Sequence, residues 1–152
     1  MTVQFTEQYT GKADRSDWKR GPWDAEPLDK AVWVYSGHDC MIKRNAYGAW
    51  CGYVAVKKSH KLFGKSYTEI VGSWETLTYS DKCDGDICHM ADDGDHVWWF
   101  GIDEANGFND YPSEWAMGWH YCTQEEIILK VNKMAERIES WTTMEEDSED
   151  DD

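Results

Sequence analysis

Residues 31–57 read AVWVYSGHDCMIKRNAYGAWCGYVAVK and carry three strand signals in succession. Aromatic and β-branched residues fill 31–35, 39–44 and 49–57, and short segments containing Gly or Asn separate them. This pattern is typical of antiparallel strands joined by tight turns. The stretch therefore predicts an antiparallel meander at the centre of the fold.

Two further strands are predicted at 76–80 and 97–103. The second holds Trp98, Trp99 and Phe100 without a polar interruption, which indicates a strand buried on both faces. Before the first strand, the turn formers Gly21 and Pro22 predict a bend that sets Trp23 into the core.

One long helix is predicted near the C-terminus. Residues 123–126 read TQEE, a capping box in which the Thr123 hydroxyl accepts from the Glu126 amide. Apolar residues then recur at helical spacing and form one stripe, at Ile127, Val131, Met134, Ile138 and Trp141. This stripe predicts that the helix lies across the sheet.

Length and pattern together predict an α+β fold: an antiparallel β-sheet meander of about five strands, packed by one long C-terminal amphipathic helix, with long loops. Residues 1–20 lack periodicity and are predicted to be a flexible N-terminal segment. Residues 21–141 are predicted to form the single domain. Residues 142–152 are predicted to be a disordered acidic tail, since seven of the last eight residues are Asp or Glu.

The chain is strongly acidic, with 30 acidic and 15 basic residues and a formal net charge of −15. This charge disfavours direct association with nucleic acid or with an anionic membrane. The five Cys residues are an odd number, and no apolar run approaches the ~20 residues that span a bilayer. We therefore expect a protein of a reducing cytoplasm, without direct nucleic-acid or membrane partners.

The basic residues are concentrated, because six of them and no acid lie between Lys43 and Lys65. We expect donors at the ends of two neighbouring strands to converge on a phosphate, with an aromatic ring offering a stacking face. Arg44 is the expected anchor, since its guanidinium is a rigid bidentate donor. The alternative is a lysine-rich edge that prevents aggregation. The predicted ligand-binding residues are Lys43, Arg44, Asn45, Tyr47, Trp50, Lys57, Lys58, His60 and Lys61.

A Cys/His segment follows the fourth predicted strand. Zinc accepts thiolate and imidazole donors, which this segment offers at Cys83, Cys88, His89 and His96. The chain has no Cys-x-x-Cys pair, so these residues are weak metal candidates and structural cysteines beside a surface His are favoured. No metal and no cofactor is predicted.

Catalysis is predicted only as an alternative. Asp103 closes the aromatic strand and His89 lies in the preceding loop, so either residue could act as a general base on a bound phosphate ligand. Turn formation explains the carboxylates at that strand end without catalysis. His38 and Cys40 share one side of a strand near Cys51, which permits a nucleophile with its base, but buried thiols are favoured.

Several motifs together resemble a family of small, biochemically uncharacterised proteins carried mainly by bacteriophages. The motifs are GPWDAEP at 21–27, the Arg44-Asn45 pair, WCGYV at 50–54, LTY at 77–79 and WWFGID at 98–103. The resemblance extends in order from Gly21 to about Ile138 and implies a phage origin. The family pattern has His-Gly-Gly before the LTY strand and Cys-Ala-His after the aromatic Asp. This chain has WET at 74–76 and EAN at 104–106 instead, which counts against a metal-dependent enzyme.

The resemblance and the basic stretch favour a phage-encoded, host-modulating protein, with counter-defence as the specific role. We expect it to bind and sequester a small anionic nucleotide-type ligand in the host cytoplasm, in a pocket repeated in a homo-oligomer. One alternative is a hydrolase that cleaves such a nucleotide signal. Another is an acidic inhibitor that mimics nucleic acid or blocks a host protein through the nine acidic residues of 81–110.

Overall fold

The computed structural model of the chain describes residues 3–11, 15–16, 18, 20–44, 48–71, 77, 79–82, 97–103, 121–138 and 142–143. The strands in these ranges are β1 Glu7–Tyr9, β2 Lys30–Tyr35, β3 His38–Arg44, β4 Trp50–Lys57, β5 Ile70–Val71, β6 Tyr79–Lys82, β7 Val97–Asp103 and β8 Thr142–Thr143. The helices are α1, Gln124–Arg137, and two short 3-10 helices, Pro22–Ala25 and Tyr67–Glu69.

Six strands form one antiparallel sheet in the order β1-β2-β3-β4-β7-β6, while β5 and β8 pair separately. With α1, this sheet confirms the predicted α+β fold and its central β2-β3-β4 meander. The sheet continues from β4 to β7 and only then to β6, so its order departs from a simple meander. The sequence does not predict β1, β5 or β8, because strands of two or three residues are too short to show a period.

The β2–β3 hairpin closes through a two-residue turn at Ser36 and Gly37. Tyr35 pairs with His38 across this turn, and the φ angles of Ser36 and Gly37 are 55° and 81°. Positive φ at both central residues gives a turn whose twist matches that of the paired strands. His38, predicted to belong to the turn, is therefore the first residue of β3 and lies beside the end of β4.

Helix α1 packs on one face of the sheet, against β3 and β4. Its N-cap is the predicted Thr123, whose Oγ1 accepts from the Glu126 amide at 3.2 Å. Gly52 of β4 permits close contact, since a Cβ there would lie 2.4 Å from Val131 Cγ2. Four residues of the predicted stripe are fully buried: Ile127, Val131, Met134 and Ile138. Trp141 lies outside the described residues, and within them no helix is long and apolar enough to cross a membrane.

The centre of the sheet is buried on both faces. Val54 and Phe100 belong to the core on the α1 side, and Met41 and Trp99 belong to a second cluster on the opposite side. Trp99 and Phe100 are neighbours in β7, and both are fully buried. The prediction that this aromatic strand is buried on both faces is therefore confirmed.

The GPW segment seats one tryptophan in the core. Trp23 is fully buried, as predicted, and meets Tyr121 edge to face with the ring centroids 5.1 Å apart. A Cβ at position 21 would lie 2.3 Å from the Trp23 ring, so Gly21 is needed for this close approach.

Candidate functional site

The residues predicted to bind a ligand lie at opposite ends of the β3–β4 hairpin. Arg44, at the end of β3, pairs with Trp50, at the start of β4, whereas Lys57 is the last residue of β4. Seven residue steps separate Trp50 from Lys57, which corresponds to roughly 23 Å along the strand. The prediction that these strand ends converge is wrong, because consecutive antiparallel strands end at opposite edges of a sheet.

Arg44 is an interior residue and is only 6% exposed. Its guanidinium donates to the Gly48 carbonyl at 2.7 Å and to the Tyr121 hydroxyl at 3.0 Å. It also lies 3.4 Å from a carboxylate oxygen of Glu26 and 3.5 Å from one of Asp29. These partners occupy the donors that the sequence predicts to hold a phosphate, so Arg44 stabilises the fold at this position.

Aromatic rings enclose the same guanidinium. The Cζ atom of Arg44 lies 4.0 Å from the ring centroid of Trp50 and 5.0 Å from that of Trp18. Trp18 also lies under Arg15, at 4.4 Å, and Arg15 forms an ion pair with Asp29 at 2.5 Å. Cation–π contacts of this kind are stronger when they are shielded from water. Trp50, predicted to stack on a ligand base, is fully buried and belongs to this internal network instead.

Glu26 links the network to the start of α1. One of its carboxylate oxygens accepts from the Tyr121 hydroxyl at 2.6 Å, and the other accepts from the Gln124 backbone amide at 2.8 Å. The second contact satisfies an N-terminal amide of the helix, where negative charge is favourable. Burial raises the pKa of Tyr121 well above its usual range, so the phenol remains a donor to Glu26 at physiological pH.

An open cleft of about 510 Å³ lies at the other end of the hairpin. The described residues that line this basic cleft come from the β2–β3 turn, from the ends of β3 and β4 and from the turn after β4: Gly37, His38, Lys57, Ser59, His60 and Lys61. The structure therefore brings together three of the predicted ligand-binding residues, Lys57, His60 and Lys61. Lys58 is exposed beside them. None of the six lining residues is acidic, so the cleft carries local positive charge within an acidic protein.

Two imidazoles meet in the basic cleft. The ring centroids of His38 and His60 lie 5.8 Å apart, with the ring planes at 73°. The Nδ1 atom of His60 accepts from the Leu62 backbone amide at 3.0 Å. Because a backbone amide can only donate, neutral His60 carries its proton on Nε2. His60 is therefore set to donate a hydrogen bond from Nε2.

The turn that carries His60 and Lys61 is fixed by its own backbone. The His60 amide donates to the Lys57 carbonyl at 2.9 Å, and the Phe63 amide donates to the His60 carbonyl at 3.1 Å. Leu62 is fully buried and anchors the turn to the core. These contacts fix the backbone of the turn, so binding at His60 and Lys61 costs less backbone conformational entropy.

Three residues of the basic cleft are absent from the predicted ligand-binding set: Gly37, His38 and Ser59. The predicted strand pairing could have indicated these residues from the sequence. A tight turn after β2 and antiparallel pairing of β3 with β4 place the start of β3 beside the end of β4. His38 therefore has to lie near Lys57, although the two are 19 positions apart in the sequence.

Two further predicted site residues, Lys43 and Asp103, lie at the opposite end of the sheet from the basic cleft. Lys43 precedes Arg44 in β3, at the opposite end of the hairpin. Asp103, a predicted catalytic base, is the last residue of β7, and it pairs with Cys51 at the Arg44 end of the sheet. The remaining candidates lie outside the described residues: Asn45, Tyr47, Cys83, Cys88, His89 and His96.

Cys40 and Cys51 are both buried, but the hairpin does not bring the two thiols together. Cys40 pairs with Val54, and the two cysteines belong to core clusters on opposite faces of the sheet. Burial, together with the nearby charge of Asp39, raises the pKa of the Cys40 thiol to about 12. Such a thiol stays protonated at neutral pH and is a poor nucleophile.

Among the residues that the structure describes, no group of three or more His, Cys, Asp or Glu side chains is placed to hold a metal ion. The chain was compared with family models, with curated proteins and with solved structures, and none of them matches it. Its function has to be inferred from the chemistry of the basic cleft and from the sequence.

Proposed function

We propose that the protein binds a small phosphate-bearing anion in the basic cleft. The observation that carries this proposal is the convergence of Lys57, His60 and Lys61 on one pocket, with no acidic residue among the six described residues that line it. Lysine binds phosphate oxygens as a point charge, and an imidazole N–H adds a directional hydrogen bond. Ser59 supplies a further hydroxyl donor at the same place.

The size of the basic cleft favours a small molecule over a polymer. Its volume of about 510 Å³ falls within the range of roughly 300–1,000 Å³ that is typical of small-molecule sites. The net charge of −15 repels a polyanion at long range, whereas a single small anion responds more to the local lysines. A nucleotide-type ligand has the charge and the dimensions that such a site accepts.

The positions of the described candidate bases favour binding over hydrolysis, while the predicted base His89 lies outside the described residues. Asp103 lies at the opposite end of the sheet from the basic cleft. The lone pair of neutral His60 is on Nδ1 and is already engaged by the Leu62 amide, so His60 serves as a donor rather than as a general base. We therefore propose that the ligand is held intact, which amounts to sequestration.

The biological part of the proposal is supported by the resemblance to phage proteins. A phage protein that captures a nucleotide-type signal in the host cytoplasm would silence the pathway that the signal controls. We accordingly propose host modulation, with counter-defence as its specific form. Capture of this kind needs binding and no catalytic group, and the fixed backbone of the turn that carries His60 and Lys61 supports it.

Removing the two cleft lysines tests the site. In Lys57→Gln/Lys61→Gln we expect the dissociation constant for inorganic pyrophosphate, measured by calorimetric titration, to rise at least about tenfold, or about 1.4 kcal/mol. The matched control is Lys30→Gln/Lys43→Gln, which removes the same charge from a cross-strand pair at the other end of the sheet. This control should leave the affinity almost unchanged. Equal affinities in the two double variants would overturn the proposal.

A depletion experiment tests the ligand class and its fate. The protein is incubated with cyclic dinucleotides and ADP-ribose-type molecules and removed by filtration, and the filtrate and the heat-released material are analysed by mass spectrometry. A ligand that leaves the filtrate and returns intact on heating supports sequestration. A cleaved product would contradict it, and would point to His38 as the base within the basic cleft.

A further inference from the structure

We infer that the basic cleft selects a terminal phosphate group. Among nucleotide-type ligands, it would bind a linear nucleotide with a free phosphate end more tightly than a cyclic nucleotide or any other phosphodiester. The inference rests on the proposed function, because it names the class of anion that the same cleft takes. What it adds is that the charge on a single phosphate group decides the affinity.

The two lysines of the basic cleft converge on one place. Lys57 and Lys61 line the same cleft, and Ser59 lines it between them. All three belong to one turn, in which the His60 amide donates to the Lys57 carbonyl at 2.9 Å and the Phe63 amide donates to the His60 carbonyl at 3.1 Å. The turn thus presents two positive charges to one cleft rather than to two separate sites.

These two charges have no counter-charge in the protein. Within the part of the chain that the structure describes, neither the Lys57 nor the Lys61 ammonium group forms an ion pair. A bound group with one negative charge compensates only one of the two ammonium groups, whereas a group with two charges compensates both. The cleft therefore matches a dianion better than a monoanion.

A terminal phosphate supplies that second charge on the same group. A phosphate monoester carries a charge of about −1.5 to −2 near pH 7 and presents three acceptor oxygens. A phosphodiester has a single charge, which its two unbridged oxygens share. The cleft offers both ammonium groups, the Ser59 hydroxyl and the imidazole of His60 as donors. Three oxygens can accept from more of these donors at once than two can.

The expected preference is moderate, because the cleft is open to water. Lys57, Ser59 and Lys61 are all exposed, so the solvent weakens each charge–charge interaction. One additional negative charge beside two such ammonium groups corresponds to roughly tenfold in affinity at low salt. Because the Debye length falls to about 3 Å at 1 M salt, the preference should shrink as salt is added.

The test compares two ligands that differ in this one charge. Adenosine 5′-monophosphate (AMP) and its phosphate methyl ester share the base, the ribose and the position of the phosphorus atom. At about pH 7.5 the first is mostly a dianion, and the second is a monoanion. By calorimetric titration at low salt, the native chain should bind AMP at least about tenfold more tightly than the methyl ester, or about 1.4 kcal/mol. Equal dissociation constants would overturn the inference.

Charge-removing variants show whether the cleft lysines are responsible for the preference. In Lys57→Gln/Lys61→Gln the ratio of the two dissociation constants should fall to about threefold or less. The control Lys30→Gln/Lys43→Gln, which loses the same charge at the other end of the sheet, should keep the full ratio. The cleft lysines are exposed, so the cleft variant should fold, and circular dichroism checks this. An unchanged ratio in the cleft variant would mean that other groups recognise the second charge, which overturns the inference.

Pyrophosphate titration separates this inference from the proposed function. If pyrophosphate binds the native chain and binds the cleft variant at least about tenfold less tightly, while AMP and its methyl ester bind equally, the proposed function stands and the inference fails. If pyrophosphate and AMP bind the native chain no more tightly than the cleft variant, the proposed function fails and the inference fails with it. A cyclic dinucleotide that binds more tightly than AMP would also overturn the inference, because both of its phosphates are diesters.

Discussion

Replacing Arg44 with Met tests whether this residue serves the fold or the ligand. The Arg44 side chain is fully buried, and the side chains of its partners Glu26 and Asp29 are 16% and 1% exposed. Removing one member of a buried ion pair costs about 3–5 kcal/mol, because the charge left behind has no compensation. Asp29 would keep Arg15 at 2.5 Å, so we expect a loss near the lower limit, about 3 kcal/mol.

Urea unfolding followed by tryptophan fluorescence measures this loss. For a chain of 152 residues, 1 kcal/mol corresponds to about 2–4 °C in Tm, so the Tm of Arg44→Met should fall by roughly 6–12 °C. The control is Lys43→Met, an adjacent half-buried residue, for which we expect a loss of less than about 1 kcal/mol. In Arg44→Met/Glu26→Gln part of the loss should be recovered, because one uncompensated charge is also removed.

The same variant separates stability from binding. Arg44 lies at the opposite end of the β3–β4 hairpin from Lys57, so folded Arg44→Met should bind pyrophosphate with the affinity of the native chain. Normal stability together with lost binding would refute the reasoning and would restore Arg44 as the ligand anchor. A loss of both properties in the fully folded protein would show that the two ends of the sheet are coupled.

Two further predictions concern packing and titration. Gly52→Ala should destabilise the protein by about 1–3 kcal/mol in urea unfolding, because its Cβ would lie 2.4 Å from Val131 Cγ2, and an unchanged midpoint would contradict the tight packing of α1 on β4. Cys40, whose pKa is raised to about 12 from an ordinary 9.0, should resist iodoacetamide in the native state and react after unfolding. Because the pKa of the Cys40 thiol is higher in the folded chain, its contribution to the free energy of unfolding is fully present below about pH 9 and should be lost as the pH rises towards about 12. The difference in the free energy of unfolding between the native chain and Cys40→Ala, measured across this pH range, would show the loss.

The strands and the helix can be predicted because nearby residues specify them. Ser36-Gly37 marks the β2–β3 turn, and Thr123 with Glu126 marks the start of α1. Such signals act over two to four residues and need no knowledge of the tertiary fold. The bounds of β2, β3 and β4 accordingly agree with the sequence prediction to within one residue.

The role of Arg44 could not be predicted in this way, because its partners are distant in the sequence. Arginine is usually exposed, so its residue type favours a ligand contact over burial. The structure instead joins Arg44 to Glu26, 18 residues earlier, and to Tyr121, 77 residues later. The lysines of the basic cleft could be predicted because Lys57 and Lys61 lie within four positions of each other in the sequence, whereas finding His38 required the register of β3 against β4.

Because the two ends of the sheet are far apart, unfolding measurements can show at which end an unknown ligand binds. Free-energy changes at sites more than about 10 Å apart usually add, and the Arg44 network and the basic cleft are separated by the length of β4. A ligand present at 100 times its dissociation constant stabilises the folded chain by about 2.7 kcal/mol. Bound in the basic cleft, it should add this same free energy to the native chain and to Arg44→Met, and it should add much less to Lys57→Gln/Lys61→Gln. A ligand held by the Arg44 network should instead stabilise Lys57→Gln/Lys61→Gln as much as the native chain, and should stabilise Arg44→Met much less. Thermal unfolding of the three proteins, with and without the ligand, therefore shows at which end of the sheet the ligand binds.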